Sequence, residues 1–270
     1  MGTSWPRIPL FSILFALLGL FAGEAHGQKF RVDSELFENQ QKEPFLETLT
    51  IFHDGTVYDF RWTEPKEVTV LDTKNGRFTL LDEANRKKAS VTTKELLEFS
   101  LELEAHAAQE KDRLFAFCAA PQFEIAQQPI EKNGQSLVEL RLTSKVMTYV
   151  ASGVKPQQEE SARAYRHFAD WCARLNATRG GNLPPGARLA LNKALAEGDL
   201  LPLEITRTTG GTLLEKKLEL RSEHRVNWKL SVEDERRIER ASDMIATFEV
   251  VSYSDYLATP TKTPSKQARK

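Results

Sequence analysis

The sequence has few of the residues that build metal centres and disulfide frameworks. It contains only two cysteines, Cys118 and Cys172, and its five histidines are scattered singly, without a paired His or a CxxC spacing. A metal site needs several such ligands converging on one ion. We therefore expect no metal site and no cofactor. The two cysteines sit among apolar neighbours, so they could form one disulfide or remain buried free thiols.

The common catalytic signatures are also missing. There is no GxSxG elbow, no HExxH motif and no Walker A or GxGxxG phosphate loop. These absences exclude the most frequent hydrolase and nucleotide-binding classes. We expect a protein that is not an enzyme, and an enzyme of unrecognised type remains the alternative.

Long apolar runs are absent after residue 27, where no segment approaches the ~18 consecutive apolar residues of a membrane-spanning helix. Before that point, Arg7 precedes an apolar run from Leu10 to Ala22, and Ala25-His26-Gly27 supplies small residues at a cleavage site. Residues 1–27 are thus predicted to be a signal peptide cut before Gln28, with an uncleaved anchor as the alternative. The mature chain is expected to be exported, periplasmic or extracellular, and not membrane-spanning.

An excess of charge of one sign is missing too. Without Arg7 and Glu24, the mature chain has 36 Lys and Arg against 37 Asp and Glu. A dedicated nucleic-acid-binding protein needs a basic surface to displace counterions from phosphates. We therefore expect no nucleic-acid partner.

Strand patterns dominate the first part of the mature chain. In residues 57–62, the aromatic side chains of Tyr58, Phe60 and Trp62 fall on one face and Asp59 and Arg61 on the other. Tight turns are predicted at Asp54-Gly55, Asn75-Gly76 and Asn133-Gly134. A later run, residues 213–230, alternates so that Trp228 and His224 share its apolar face. We interpret His224 as a hydrogen-bonded core histidine.

Helix signals lie between these strands. Thr92 and Glu95 form a capping-box pattern, and Ser231 with Asp234 forms another. The first of these helices carries apolar residues at helical spacing, which we expect to be its buried face: Leu97, Leu101, Ala105 and Ala108. Alternating strands joined by tight turns, with helices interposed, predict an α+β fold with a curved, half-barrel-like antiparallel sheet and helices packed on one face. Residues 28–257 are predicted to be a single domain.

The arrangement resembles a known superfamily of exported proteins. An export signal, hairpin strands such as Thr56-Val57-Tyr58-Asp59-Phe60, interposed helices and the late strand Leu201-Pro202-Leu203-Glu204-Ile205 look like the lipoprotein-carrier (LolA-like) superfamily. That resemblance implies a half-barrel whose concave apolar face is covered by helices and holds acyl chains. The segments Phe168-Ala169-Asp170-Trp171 and Leu183-Pro184-Pro185-Gly186-Ala187-Arg188 are also similar to those of uncharacterised exported bacterial proteins.

The leading functional hypothesis is an envelope or periplasmic protein that binds a lipid-like or apolar ligand between sheet and helices. Its candidate ligand-binding residues are the aromatic side chains Tyr58, Phe60, Trp62 and Trp228. The alternative is a structural or protein-interaction module of the cell envelope, in which the same aromatics only fill a core. Residues 258–270 are predicted to be a disordered basic tail, which could contact an envelope protein or an anionic polymer.

The export hypothesis has a direct test. N-terminal sequencing of the protein isolated from its native host should start at Gln28, because a signal peptidase would remove residues 1–27. Recovery of a chain that still begins at Met1 would contradict both the signal peptide and the localisation inferred from it.

Overall fold

The computed structural model describes residues 29–210 and 218–258 of the chain. The predicted signal peptide and residues 259–270 of the predicted tail lie outside these residues, whereas Ala258, where that tail was predicted to begin, is the last residue of a helix. None of the helices within the two described ranges is both long and apolar enough to cross a membrane.

The described residues form twelve strands and six helices. The strands are β1 (Lys29–Glu38), β2 (Leu46–His53), β3 (Thr56–Arg61), β4 (Glu67–Asp72), β5 (Arg77–Asp82), β6 (Lys87–Thr92), β7 (Glu124–Lys132), β8 (Gln135–Thr143), β9 (Met147–Val154), β10 (Leu201–Thr209), β11 (Leu218–Asn227) and β12 (Glu249–Val250). The helices are α1 (Thr93–Ala107), α2 (Arg113–Ala119), α3 (Glu159–Ala177), α4 (Gly186–Glu197), α5 (Val232–Thr247) and α6 (Tyr253–Ala258).

All twelve strands belong to one open sheet in the order β12-β6-β5-β4-β3-β2-β1-β11-β10-β9-β8-β7. Strands β1 to β6 form one antiparallel meander and β7 to β11 form another, and the two meet where β1 pairs with β11. Only the short β12 pairs in parallel, with β6, among the described strands. The predicted α+β class with an antiparallel sheet is confirmed.

Tight turns set the register of the hairpins, as predicted. Asp54 and Gly55 both have positive φ, as do Asn133 and Gly134. Two consecutive residues with positive φ match the right-handed twist of the flanking strands, and Gly, Asn and Asp tolerate that conformation best. The hairpins β2–β3 and β7–β8 follow from these turns.

Helices cover both faces of the sheet. Helices α1, α3 and α6 pack on the face that carries Phe30, Phe52 and Leu80, and α2 and α4 cover the same face over the second meander. Helix α5 packs on the opposite face, against Leu49, Ile51 and other side chains of the first meander. Because neighbouring residues of a strand point to opposite sides, β2 contributes to both cores. The helix on this second face is a difference from the expected arrangement.

Helix α1 uses a different face from the one expected. It begins with the predicted capping box, in which Thr92 accepts from Glu95 and the Glu95 carboxylate accepts from Thr92. However, the residues it buries are Leu96, Ser100 and Ala107, whereas Leu97 and Leu101 are 41% and 56% exposed. The serine is tolerated inside because its hydroxyl donates to the Leu96 carbonyl. The expected stripe was wrong, since the helix turns its Leu96 side toward the sheet and α3.

Asp234 attaches α5 to the first strand. Its carboxylate is fully buried and accepts hydrogen bonds from the Ser231 backbone at 2.8 Å and from Arg31 of β1 at 2.8 Å. Burial alone would raise the pKa of Asp234, but the bonds from Ser231 and Arg31 lower it. The predicted capping residue therefore also forms a partly buried ion pair between α5 and the sheet.

Replacing Asp234 with Ala should lower the free energy of unfolding by about 2–4 kcal/mol, because both the helix cap and the ion-pair partner of Arg31 are lost. Chemical denaturation would measure the loss. The exposed first-turn residue Glu235 supplies the control, since Glu235→Ala should cost less than about 0.5 kcal/mol. Equal losses in the two variants would contradict the anchoring role of Asp234.

Candidate functional site

Three of the four candidate ligand-binding aromatics lie beneath α5. Tyr58, Phe60 and Trp62 share one face of β3 and the residues just after it. The rings of Phe60 and Trp62 stack with centroids 5.9 Å apart, and the Arg237 guanidinium of α5 lies 5.5 Å from the Trp62 centroid. Phe60 is buried, whereas Trp62 is 38% exposed.

The fourth aromatic, Trp228, lies on the other side of the sheet. It follows β11 and packs against Phe30, with ring centroids 5.9 Å apart, in the core beneath α3. The sheet therefore separates Trp228 from Tyr58, Phe60 and Trp62. The structure does not bring the four predicted residues into one cavity.

A charged cluster occupies the side of β3 that faces α3. Asp59 accepts a hydrogen bond of 2.6 Å from the Thr50 hydroxyl of β2. Burial, with a smaller contribution from the nearby Glu67 charge, raises the pKa of Asp59 to about 6 against the lowering effects of the Thr50 bond and Arg61. Asp59 is thus a carboxyl group that changes protonation near neutral pH.

Glu67 and Arg179 form the ion pair of this cluster. Glu67 begins β4, and Arg179 lies just beyond the end of α3 and donates to the Glu67 carboxylate at 2.5 Å. The Tyr256 hydroxyl of α6 donates to the second Glu67 oxygen at 3.0 Å. The Glu67 side chain is only 15% exposed and the Arg179 side chain 29%. Burial and the Glu67 charge together raise the pKa of Tyr256, so that hydroxyl stays protonated.

Arg61 lies beside this ion pair and forms no ion pair of its own with a carboxylate in the described ranges. It is directly opposite Glu67 in the β3–β4 register, and Glu67 is already bonded to Arg179. Burial lowers the pKa of Arg61, and the Arg179 cation lowers it further, while Glu67 and Asp59 raise it. Two guanidinium groups therefore lie close together around Glu67.

Both cysteines are free thiols in the structure. Cys118 on α2 belongs to the core beneath α4, where burial raises its pKa to about 11. Cys172 on α3 lies above the charged cluster, where burial and then the Asp59 charge raise its pKa. Neither environment stabilises a thiolate, which is the nucleophilic form of cysteine.

His224 is buried at the junction between the two meanders. Its ring nitrogens lie 2.8 Å from the Ser34 hydroxyl and 2.9 Å from the Ser222 hydroxyl. Burial and the Arg188 cation lower the pKa of His224 to about 3, so the ring is neutral. This geometry agrees with the interpretation of His224 as a hydrogen-bonded core histidine.

Two clefts adjoin α3. The smaller, of about 200 Å³, opens at the charged cluster between the start of β4, the end of α3 and α6. Its polar lining residues are Lys66, Glu67, Asp82, Arg179 and Tyr256. The larger, of about 520 Å³, lies between α3 and the end of α4, where Arg166 pairs with Asp170 at 3.4 Å. In the described ranges, no three His, Cys, Asp or Glu side chains are grouped to hold a metal ion.

The cluster could be predicted from the sequence only in part. The alternation along β3 correctly placed Asp59 and Arg61 together on the face opposite Tyr58, Phe60 and Trp62. Nothing in the local pattern indicated that α3 would cover that face or that Arg179 would reach Glu67, which is 112 residues away in the chain.

Protonation of Asp59 should be visible in the pH dependence of stability. Its folded-state pKa lies above that of an unfolded aspartate, so the free energy of unfolding should fall as pH rises from about 4 to about 6. Asp59→Asn keeps the acceptor for Thr50 and should remove this fall, with a gain of about 1–2 kcal/mol at pH 7.

Urea denaturation between pH 4 and 8 would measure this effect. The control variant is Asp243→Asn, which changes an exposed aspartate of α5. His224 contributes an opposite slope to every variant, because its lowered pKa makes the folded protein less stable as pH falls below 6.5. The difference between each variant and the wild type therefore isolates the carboxyl group that was changed. A profile for Asp59→Asn parallel to that of the wild type would contradict the buried Asp59.

Comparisons with known proteins give little similarity. No family model and no curated protein matches the chain. Among solved structures, PNGF-II in its C2 crystal form has a TM-score of 0.39 and 12% identity over 86% of this chain. The P21 form gives 0.38 and 11% over 85%. This chain spans about a third of the length of either structure, at 33% and 32%. These values are too low to transfer a function, and the LolA-like resemblance gains no support from them.

Proposed function

We propose that this chain is an exported, non-enzymatic binding protein that holds a small polar ligand at the charged cluster of Asp59, Arg61, Glu67 and Arg179. The observation that carries the proposal is the Glu67–Arg179 ion pair, which lines a cleft of about 200 Å³ on the helix-covered face of the sheet. Export rests on the predicted signal peptide.

The chemistry of the cleft favours a polar ligand over an acyl chain. Charged groups removed from water lose hydration free energy, and polar partners offset that loss. An acyl chain offers no such partner to Lys66, Glu67 or Arg179. Of the aromatic side chains that motivated the apolar-ligand hypothesis, Phe60 and Tyr58 contribute instead to the core beneath α5. Trp62 stacks on Phe60 and lies against Arg237 at the exposed edge of that core.

The cysteine, the histidine and the glutamate nearest to an enzyme's nucleophile or base in chemistry are poorly suited to catalysis. Cys172 is a protonated thiol, and both ring nitrogens of His224 are occupied by serine hydroxyls. The Glu67 carboxylate is bonded to Arg179 and to Tyr256. These side chains support binding more readily than proton transfer or nucleophilic attack.

A protein-interaction role in the cell envelope is the second candidate. It is favoured by the exposure of Leu97 and Leu101, one helical turn apart on α1. Replacing both leucines with Gln would weaken such an interaction and leave binding at the charged cluster intact.

Native mass spectrometry of the protein isolated from its own host under mild conditions would test the binding function. The wild type and the control Glu98→Gln, changed at an exposed position of α1, should carry a small polar adduct. Glu67→Gln should lose the adduct, because the ion pair that positions Arg179 is broken. A lipid adduct would instead support the apolar-ligand hypothesis, and a clean apo mass in the wild type would contradict both.

A further inference from the structure

Three of the five buried side-chain polar atoms that lack a partner in the described residues belong to Arg61, Thr63 and Arg179, at one end of the charged cluster; the other two are the Nε atoms of Arg174 and Arg207. Within the described part of the chain, the Nε atoms of Arg61 and Arg179 are buried and have no hydrogen-bond partner. The hydroxyl of Thr63, two residues after Arg61, is buried and unpartnered as well. Such groups are uncommon in folded proteins, because each costs the free energy of its lost hydration.

The carboxylates around these unpartnered donors already accept hydrogen bonds from other groups, so the donors lack an acceptor. Arg61, Arg179 and Lys66 bring three cations to this end of the sheet face. Three carboxylates lie near these cations, and one of them, Glu67, is already bonded to Arg179 and to the Tyr256 hydroxyl. A second, Asp59, is buried and accepts a hydrogen bond from Thr50. The remaining carboxylate of the cleft, Asp82, accepts two hydrogen bonds from Asn85, at 2.9 and 2.7 Å.

Guanidinium geometry identifies the matching ligand. The Nε and one terminal nitrogen of an arginine form a planar fork that fits two oxygens of a carboxylate or phosphate group. Arg179 uses a terminal nitrogen for Glu67 and keeps its Nε unpartnered. Arg61 lies on β3, directly opposite Glu67 of β4, and its Nε is also unpartnered. The fork of Arg61 and the remaining Nε donor of Arg179 can donate to the oxygens of one oxyanion.

We propose that Arg61 and Arg179, with the hydroxyl of Thr63, bind the carboxylate or phosphate group of a small anionic molecule. The inference rests on the proposed binding function and names the chemical class of its ligand. Glu67 then has a positioning role, since it fixes the Arg179 guanidinium.

Titration with inorganic phosphate and, separately, with malonate at constant ionic strength would test the site. Isothermal titration calorimetry should detect binding of at least one of the two anions to the wild type. Arg61→Gln should weaken that binding about tenfold or more, because one charge and one fork are lost. The control Arg236→Gln removes an exposed arginine from α5, on the other face of the sheet, and should bind as the wild type does.

Arg61→Lys keeps the charge and removes the fork, so its affinity should fall between those of the wild type and Arg61→Gln. Circular dichroism of each variant would verify that it is folded. If Arg61→Gln does not fold, the affinity of Arg61→Lys provides the test of the site. Binding of phosphate alone, or of malonate alone, supports the site and identifies its oxyanion.

Failure of this inference is distinguishable from failure of the binding function. Equal affinities in the wild type and both Arg61 variants, or no binding of either anion, would overturn the oxyanion site. A native polar adduct that survives Arg61→Gln would leave the binding function standing while removing this assignment of its ligand.

Discussion

The pairing of β1 with β11 is the contact on which the whole sheet depends. It runs from Arg31 opposite Asn227 to Glu38 opposite Leu220 and joins the two meanders into one surface. Side chains reinforce it on both faces, where Ser34 bonds His224 and Arg225 bonds Glu35. These partners are 190 residues apart in the chain, so the junction closes a long loop at a considerable cost in entropy.

This junction also explains how the candidate site is assembled. Helix α3 follows β9 of the second meander, yet Phe168 and Leu175 pack on Phe30 and Phe52 of the first. The crossing places Cys172 above Asp59 and carries Arg179 to Glu67. The charged cluster therefore combines strands from one meander with the end of a helix that follows the other.

Sequence patterns predicted local structure better than long-range arrangement. The turns at Asp54-Gly55 and Asn133-Gly134, the caps at Thr92 and Ser231 and the antiparallel class are confirmed, since each depends on neighbouring residues. The buried face of α1 was wrong because Leu96 and Leu97 both fit a helical stripe, and tertiary packing selects between them. Arg179 as a partner of Glu67 was missed for the same reason. No local periodicity encodes a contact over 112 residues.

Stability alone does not explain why a helix-covered sheet face contains Asp59, Arg61, Glu67 and Arg179. A buried ion pair contributes little beyond well-packed apolar residues of similar volume, because desolvation offsets its Coulombic attraction. The opposite face of the same strands shows the apolar solution, with Phe60 and Val68 packed against α5. The same two strands, β3 and β4, thus carry apolar side chains on one face and charged side chains on the other. The charged face is best explained by a ligand that it binds. The unpartnered Nε atoms of Arg61 and Arg179 favour a ligand whose oxygen atoms carry negative charge.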